Sequence, residues 1–172
     1  MTEFSHAAPE RNLKDAAIRC LIVPLDGCSL MIPNVLVSEV APFQVPAPMN
    51  APEWVLGRIQ WRGLIVPLVS VERLLGLPGG RPERMSRAIV LNTLNGDARM
   101  PFIAVLSRGI PRMQSVVMGM LPATAEGDAD GVLCRFELNG ETMMIPDLDR
   151  IEQSLLRAGL VVGRADMTTE KV

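Results

Sequence analysis

Residue types that could carry out chemistry are sparse in this sequence. His6 is the only histidine and there is no tyrosine, so a histidine general base could come only from the polar N-terminal stretch. Cys20, Cys28 and Cys134 would act as nucleophiles only beside a group that takes up a proton. Apart from Lys14 and Lys171, the basic residues are arginines, which stay protonated. We therefore expect neither histidine nor cysteine catalysis.

Paired carboxylates are the remaining candidates for acid–base catalysis. They fall in a loop rich in glycine and alanine and at the start of a predicted helix, where solvated or capping roles account for them. These residues are Asp128, Asp130, Asp147, Asp149 and Glu152. Neither a P-loop nor a Rossmann glycine pattern occurs, and Cys20 and Cys28 are too far apart for paired zinc ligation. The sequence predicts a protein that is not an enzyme and that has no cofactor and no metal site.

The composition indicates one folded domain or two small packed lobes. The chain has 172 residues, 48% of them apolar, and a mean hydropathy of +0.25. No apolar run approaches the ~20 residues of a spanning helix, and charged residues interrupt the N-terminal stretch where a signal peptide is apolar. An odd number of cysteines fits free thiols in a reducing compartment. We expect a cytoplasmic protein with no direct membrane insertion.

Nucleic acid is not expected as a partner. The net charge is −2, and the 17 basic residues are spread along the chain without a block of like charge. A nucleic-acid-binding surface normally concentrates basic residues, often with aromatic residues between them.

Three turn signals predict short strands. Asp26-Gly27, Asn95-Gly96 and Asn139-Gly140 are each flanked by apolar segments, as in hairpins with type I′ turns. Prolines within these segments restrict the strands to edges, bulges or short lengths. The hairpins around Gly27 and Gly140 also have matching residues at corresponding positions, which indicates either convergent hairpin chemistry or a duplicated lobe. The pattern favours a small barrel or sandwich.

Helices are predicted to be few. An apolar stripe of Leu148, Ile151 and Leu155 predicts a C-terminal helix, with Asp149 as the cap, Glu152 completing a capping box, and Gly159 at the end. A shorter helix is predicted between Ser70, its cap, and Gly76. Residues 78–84 and 123–131 are predicted loops.

The stretch APEWVLGRIQWRGLIVPLVSVERLLGL, residues 51–77, resembles the signature of the CheW-like chemotaxis coupling domain. It contains, in order, an apolar turn, a glycine, a strand, Arg-Gly, a strand with proline, and a short helix. Upstream, CLIVPLDGCSLMIPNVLVSEV resembles the family's opening hairpin and its Val-x-Glu-hydrophobic element. Downstream segments resemble its later strands and terminal helix. The resemblance covers about residues 20–156.

This resemblance implies a mainly β fold of two small five-stranded, SH3-like β-barrel halves packed together, with a short helix between them and a C-terminal helix. The CheW-like domain is then expected over residues 18–158, with mobile tails at 1–17 and 159–172. Arg62-Gly63 is expected at a turn between two strands, residues 57–61 and 64–69, with Gly63 at positive φ.

The resemblance also implies a non-catalytic adaptor that couples chemoreceptors to a histidine kinase. In the family, the arginine matching Arg62 and the glutamate matching Glu39 belong to the surface that engages the receptor's cytoplasmic tip and the kinase's regulatory domain. The full set of expected interface residues is Val37, Glu39, Val40, Gly57, Ile59, Arg62 and Gly63. A purely structural alternative is that Arg62 only pairs with Glu39 at the surface.

Two alternatives concern function more broadly. Eleven methionines could line an adaptable pocket, as in a small-molecule-binding β-barrel sensor. In addition, Ser70 and Ser107 stand where the family usually carries aspartates. Two likely surface or capping carboxylates are therefore missing, which favours a shift in partner preference, as in an accessory member of a pilus-associated chemosensory system.

Overall fold

The computed structural model describes residues 16–121 and 131–165. Within these ranges the chain is mainly β. The strands are β1 Ala17–Pro24, β2 Ser29–Pro33, β3 Val37–Pro42, β4 Val55–Trp61, β5 Leu64–Val69, β6 Arg87–Asn92, β7 Phe102–Ser107, β8 Arg112–Val117, β9 Val132–Leu138, β10 Glu141–Pro146 and β11 Gly163–Arg164. The helices are α1 Val71–Leu74 and α2 Leu148–Arg157, with single 3₁₀ turns at Asn34–Leu36 and Met118–Met120.

Two sheets form the protein. The first has the order β8-β1-β2-β10-β9, and the second has the order β11-β5-β7-β6-β3, with β4 also paired to β5. In each sheet, two antiparallel hairpins are joined through one parallel pair, β2 with β10 and β5 with β7. The prediction of a mainly β protein with two halves is confirmed.

The sheets are nevertheless not closed barrels, which corrects that part of the prediction. In the described part of the chain, β8 and β9 each pair with a single neighbour, so the first sheet has two open edges. The two hairpins of similar sequence, β1–β2 and β9–β10, lie side by side in this sheet. Their likeness therefore does not mark two separate lobes.

Three hydrophobic clusters form the core of the protein. The central cluster takes residues from both sheets and from α2, while a second cluster is confined to the second sheet and a third to the first sheet. In β1, for example, Leu21 and Val23 join the central cluster, and Cys20 and Ile22 join the third. Burial of both faces explains why the strands read as continuous apolar runs.

The turns divide into two types. Asn139 and Gly140 have φ values of 54° and 79° and join β9 directly to β10, as predicted for a type I′ turn. At the other two predicted turns only Gly27 and Gly96 have positive φ, so neither is type I′. The second of these is a longer loop, residues 93–101, in which the Asn95 side chain accepts a hydrogen bond from the Asp97 backbone N–H.

The helices match the predicted stripe but not the predicted cap. Leu148, Ile151 and Leu155 are buried in the central cluster. The N-cap is Asp147, whose carboxylate accepts from the Arg150 backbone N–H. The predicted Asp149 cap was therefore wrong, because α2 begins one residue after Asp147. Ser70 caps α1 as predicted, accepting from the Arg73 backbone N–H.

The packed chain continues past residue 158. Leu160 is buried in the central cluster, the Val162 N–H donates to the Arg99 carbonyl, and β11 pairs with the start of β5. Residues 1–15 and 166–172, which make up the rest of the predicted tails, lie outside the described residues, as does most of the predicted loop 123–131.

Candidate functional site

The Arg62-Gly63 turn lies at the tip of the β4–β5 hairpin. Trp61 pairs directly with Leu64, and Arg62 and Gly63 have φ values of 48° and 74°, the geometry of a type I′ turn. The sequence predicted this turn and the positive φ of Gly63. It did not predict that Arg62 also adopts a left-handed conformation, which is uncommon for a residue other than glycine.

Glu39 holds the arginine side chain in place. Its Oε2 atom accepts from Arg62 Nε at 3.0 Å and forms an ion pair with Arg62 Nη2 at 2.8 Å. The same oxygen accepts from the indole Nε1 of Trp61 at 2.9 Å. The guanidinium carbon lies 5.0 Å from the centroid of the Trp61 ring, within cation–π range. We call this arrangement the Glu39–Trp61–Arg62 cluster.

The cluster joins the two outermost long strands of the second sheet. Glu39 is on β3 and Trp61 is on β4, which lie at opposite ends of the order β4-β5-β7-β6-β3. A bulge in β3 between Val37 and Glu39 changes the alternation of side chains at this point. Trp61 is buried and packs edge-on against Phe102, with ring centroids 4.9 Å apart. The sheet thus curls until side chains, and not a strand ladder, connect its edges.

A backbone contact strengthens this connection. The chain after β3 returns along β4, where Ala47 and Arg58 exchange two backbone hydrogen bonds of 2.8 and 2.9 Å. Gly57 permits the close approach: its φ is 138°, and a Cβ there would lie 2.3 Å from the Ala47 carbonyl oxygen. Gly57 therefore has a structural reason to be glycine.

The remaining predicted interface residues separate into exposed and buried positions. Val40 and Gly63 are exposed, and Val37 is half-buried against the central cluster. Ile59 is buried in the second cluster, so its side chain supports the hairpin from inside. The structure thus brings Glu39, Arg62 and Gly63 together with Val40 nearby on β3, and it assigns Gly57 and Ile59 to the scaffold.

Ser70 and Ser107 are both buried. Ser70 caps α1, and the Ser107 hydroxyl donates to the Gly109 carbonyl at 2.7 Å. Neither position is a surface site in this chain. The two serines therefore leave the exposed surface unaltered, and the shift in partner preference stays a prediction.

Sequence reasoning missed a buried ion pair between Glu72 and Arg108. Arg108 Nη2 lies 2.6 Å from Glu72 Oε2, and the two side chains are 15% and 2% exposed. The Glu72 carboxylate also accepts from the Asp26 backbone N–H at 2.7 Å, and Arg108 Nη1 donates to the Arg81 carbonyl at 2.8 Å. The pair therefore joins α1, the β1–β2 turn, the β7–β8 connection and the predicted loop 78–84. From the sequence, Glu72 reads as an ordinary residue of a first helical turn.

The cysteines are unsuited to nucleophilic chemistry. All three are free thiols, and burial raises the pKa of each of them, so the thiol form dominates at neutral pH. Among the described residues, no group of three or more His, Cys, Asp or Glu side chains could hold a metal ion. No helix in the same ranges is both long and apolar enough to cross a membrane.

The fold and the cluster define a class of protein: a two-sheet β domain that presents an anchored arginine at the curled edge of one sheet. Residues 19–155 match the family described as the CheW-like domain, and the chain belongs to that family. The structure is similar to that of the scaffolding protein TtCheW from Thermoanaerobacter tengcongensis. The TM-score is 0.63 and the identity 16%, over 86% of this chain and 91% of that one. No curated protein matches the sequence.

Proposed function

We propose that this protein is a non-catalytic cytoplasmic adaptor that couples chemoreceptors to a histidine kinase. Its membership of the CheW-like family supports the coupling role. The proposal extends to particular residues because the Glu39–Trp61–Arg62 cluster holds an exposed cation, the Arg62 guanidinium, in one orientation.

An arginine fixed in this way suits protein recognition. The Arg62 side chain is 67% exposed even though Glu39 and Trp61 contact it. A guanidinium has five N–H donors, and Glu39 engages only two of its nitrogens. The other donors can bind a carboxylate or carbonyl of a partner. Because the side chain is already ordered, binding costs less conformational entropy than it would for a free arginine.

Two exposed valines lie on the same edge segments of the second sheet as the cluster. Val40 is exposed on β3, and Val45, in the segment that returns along β4, is 88% exposed. Arginine and apolar side chains are both common at the centre of protein interfaces. We therefore infer that the curled edge of the second sheet contacts the cytoplasmic tip of the receptor or the regulatory domain of the kinase.

A pull-down with the host's own receptor and kinase tests the proposal. We expect the full chain to retain the receptor's cytoplasmic fragment, the kinase's regulatory domain, or both, and Arg62→Ala to reduce retention. Arg135→Ala is the matched control, because Arg135 is also exposed but lies on β9, in the first sheet. Failure to retain either partner would contradict the proposal. If neither partner is retained and a small molecule raises the melting temperature of the protein, the small-molecule sensor alternative is favoured instead.

A further inference from the structure

The loop between β6 and β7 is attached to helix α2 by one carboxylate. Glu152 Oε1 accepts from the Leu94 backbone N–H at 2.8 Å, and Glu152 Oε2 accepts from the Asn95 backbone N–H at 3.1 Å. Glu152 has no exposed surface. A buried carboxylate that binds two consecutive backbone amides fixes both the position and the orientation of the chain it holds.

The base of the same loop has other attachments. The Thr93 N–H donates to the Pro101 carbonyl, the Met100 N–H donates to the Asp97 carbonyl, and Met100 is fully buried. These bonds fix the two ends of the loop to each other and to the core. The position of Leu94 and Asn95 relative to α2 depends on Glu152.

Leu94 forms part of an apolar groove on the surface. The groove has a volume of about 480 Å³, and Leu94 remains 53% exposed at its edge. Its other apolar walls come from β2 and the 3₁₀ turn after it, from β9 and β10, and from the first residue of α2, while Asp147 and Asp149 also line it. The residues that matter here are Leu36, Leu94, Leu133, Ile145 and Leu148.

We propose that Glu152 is a positioning residue for this groove: its ionised carboxylate holds the β6–β7 loop against α2 and so places Leu94 in the groove wall. Protonation or neutralisation of Glu152 would release Leu94 and change the shape of the groove. This inference does not depend on the proposed function, since it concerns the geometry of the chain alone.

The charges around Glu152 favour a response to mild acid. Burial raises the pKa of Glu152, and the negative charge of Asp149 on the same helix raises it further, while the two backbone N–H groups oppose these effects. The charged residues of the loop, Asp97 and Arg99, pair with each other at 2.7 Å. The carboxylate should therefore take up a proton at a higher pH than an ordinary glutamate.

Nuclear magnetic resonance of the full chain tests this directly. In the wild-type protein, the amide signals of Leu94 and Asn95 should shift together as the pH falls, with one midpoint above the usual glutamate range. In Glu152→Gln, one acceptor oxygen becomes an N–H donor. The amide exchange of at least one of the two residues should then accelerate by about tenfold or more, since hydrogen bonds to charged groups are the stronger ones.

Glu53→Gln is the matched control, because Glu53 is an exposed glutamate outside the groove and the substitution should leave amide exchange at Leu94 and Asn95 unchanged. Unchanged protection of both amides in a folded Glu152→Gln protein would overturn the proposal. So would wild-type amides that do not titrate together, and this measurement remains available if the variant fails to fold.

Discussion

Replacing Arg62 with alanine separates binding from stability in the Glu39–Trp61–Arg62 cluster. The substitution removes an ion pair whose side chains are 67% and 36% exposed, and it removes the cation–π contact with Trp61. Exposed ion pairs contribute ~0 to 1 kcal/mol, and exposed cation–π contacts contribute ~0.5 to 1 kcal/mol. We expect the free energy of unfolding to fall by about 1 kcal/mol, or about 2–4 °C in Tm for a chain of this size.

The left-handed backbone at Arg62 supplies an internal control. Alanine keeps the steric cost of a φ of 48°, whereas Arg62→Gly loses the same side-chain contacts but relieves that cost, worth ~1 kcal/mol. The glycine variant should therefore be about as stable as the wild-type protein. If the side chain anchors a partner, both variants should lose ~2 kcal/mol of binding free energy, a rise in Kd of about 30-fold.

Calorimetry with the kinase's regulatory domain and the receptor's cytoplasmic fragment measures the affinities, and thermal unfolding measures the stabilities. Arg135→Ala on the first sheet should change neither quantity by much, because surface substitutions usually stay within ~0.5 kcal/mol. The reasoning is refuted if both Arg62 variants bind the two partners with wild-type affinity. It is equally refuted if the glycine variant is less stable than the alanine variant, since the backbone would then not carry the assumed strain.

Three further predictions concern the scaffold. Gly63→Val should lower the free energy of unfolding by ~1 to 2 kcal/mol because valine is disfavoured at the positive φ of this position. No steric clash adds to this cost, since a Cβ at residue 63 would meet nothing within 4 Å. Gly63→Asn should lower the free energy of unfolding by less. Arg108→Gln should cost ~3 to 5 kcal/mol in a urea titration, because Glu72 would be left buried without its charge partner, whereas Arg99→Gln at an exposed pair should leave the urea midpoint close to that of the wild-type protein. The hydrogen bond from Arg99 lowers the pKa of Asp97 to about 2. The Asp97–Arg99 pair therefore stabilises the folded chain at pH values above the pKa of Asp97 in the unfolded chain, and this stabilisation is lost as the pH falls toward 2. A titration midpoint of the Asp97 carboxyl near the ordinary aspartate value would contradict this prediction.

Local features of the sequence determined much of the fold. Whereas the turn at Arg62-Gly63 was expected from the family resemblance, the turn at Asn139-Gly140, the Ser70 cap and the apolar stripe of α2 were predictable from the residues themselves. Each depends on the φ/ψ preferences and periodicity of a few adjacent residues. The predicted N-cap of α2, Asp149, lies two residues after the observed one, Asp147. Both residues offer a carboxylate, and sequence alone does not choose between neighbouring carboxylates.

The candidate site was only partly predictable. The resemblance pointed to Arg62 and Glu39, but nothing local shows that Trp61 shares the same carboxylate oxygen. A buried indole needs an acceptor for its N–H, and the curl of the second sheet supplies one. The same limit applied to Ile59 and Gly57, whose scaffold roles depend on what packs against them.

Three glutamates show what only the tertiary structure decided. Glu39 bonds to a residue 23 positions away, Glu72 to one 36 positions away and Glu152 to one 58 positions away. In the sequence, Glu39 and Glu72 read as surface carboxylates and Glu152 as part of a helix cap, because charged residues are rarely buried without a partner. The order of strands in the two sheets determines which donors face each carboxylate. That order is fixed by burial of apolar surface over the whole chain, a property that no short stretch of sequence contains.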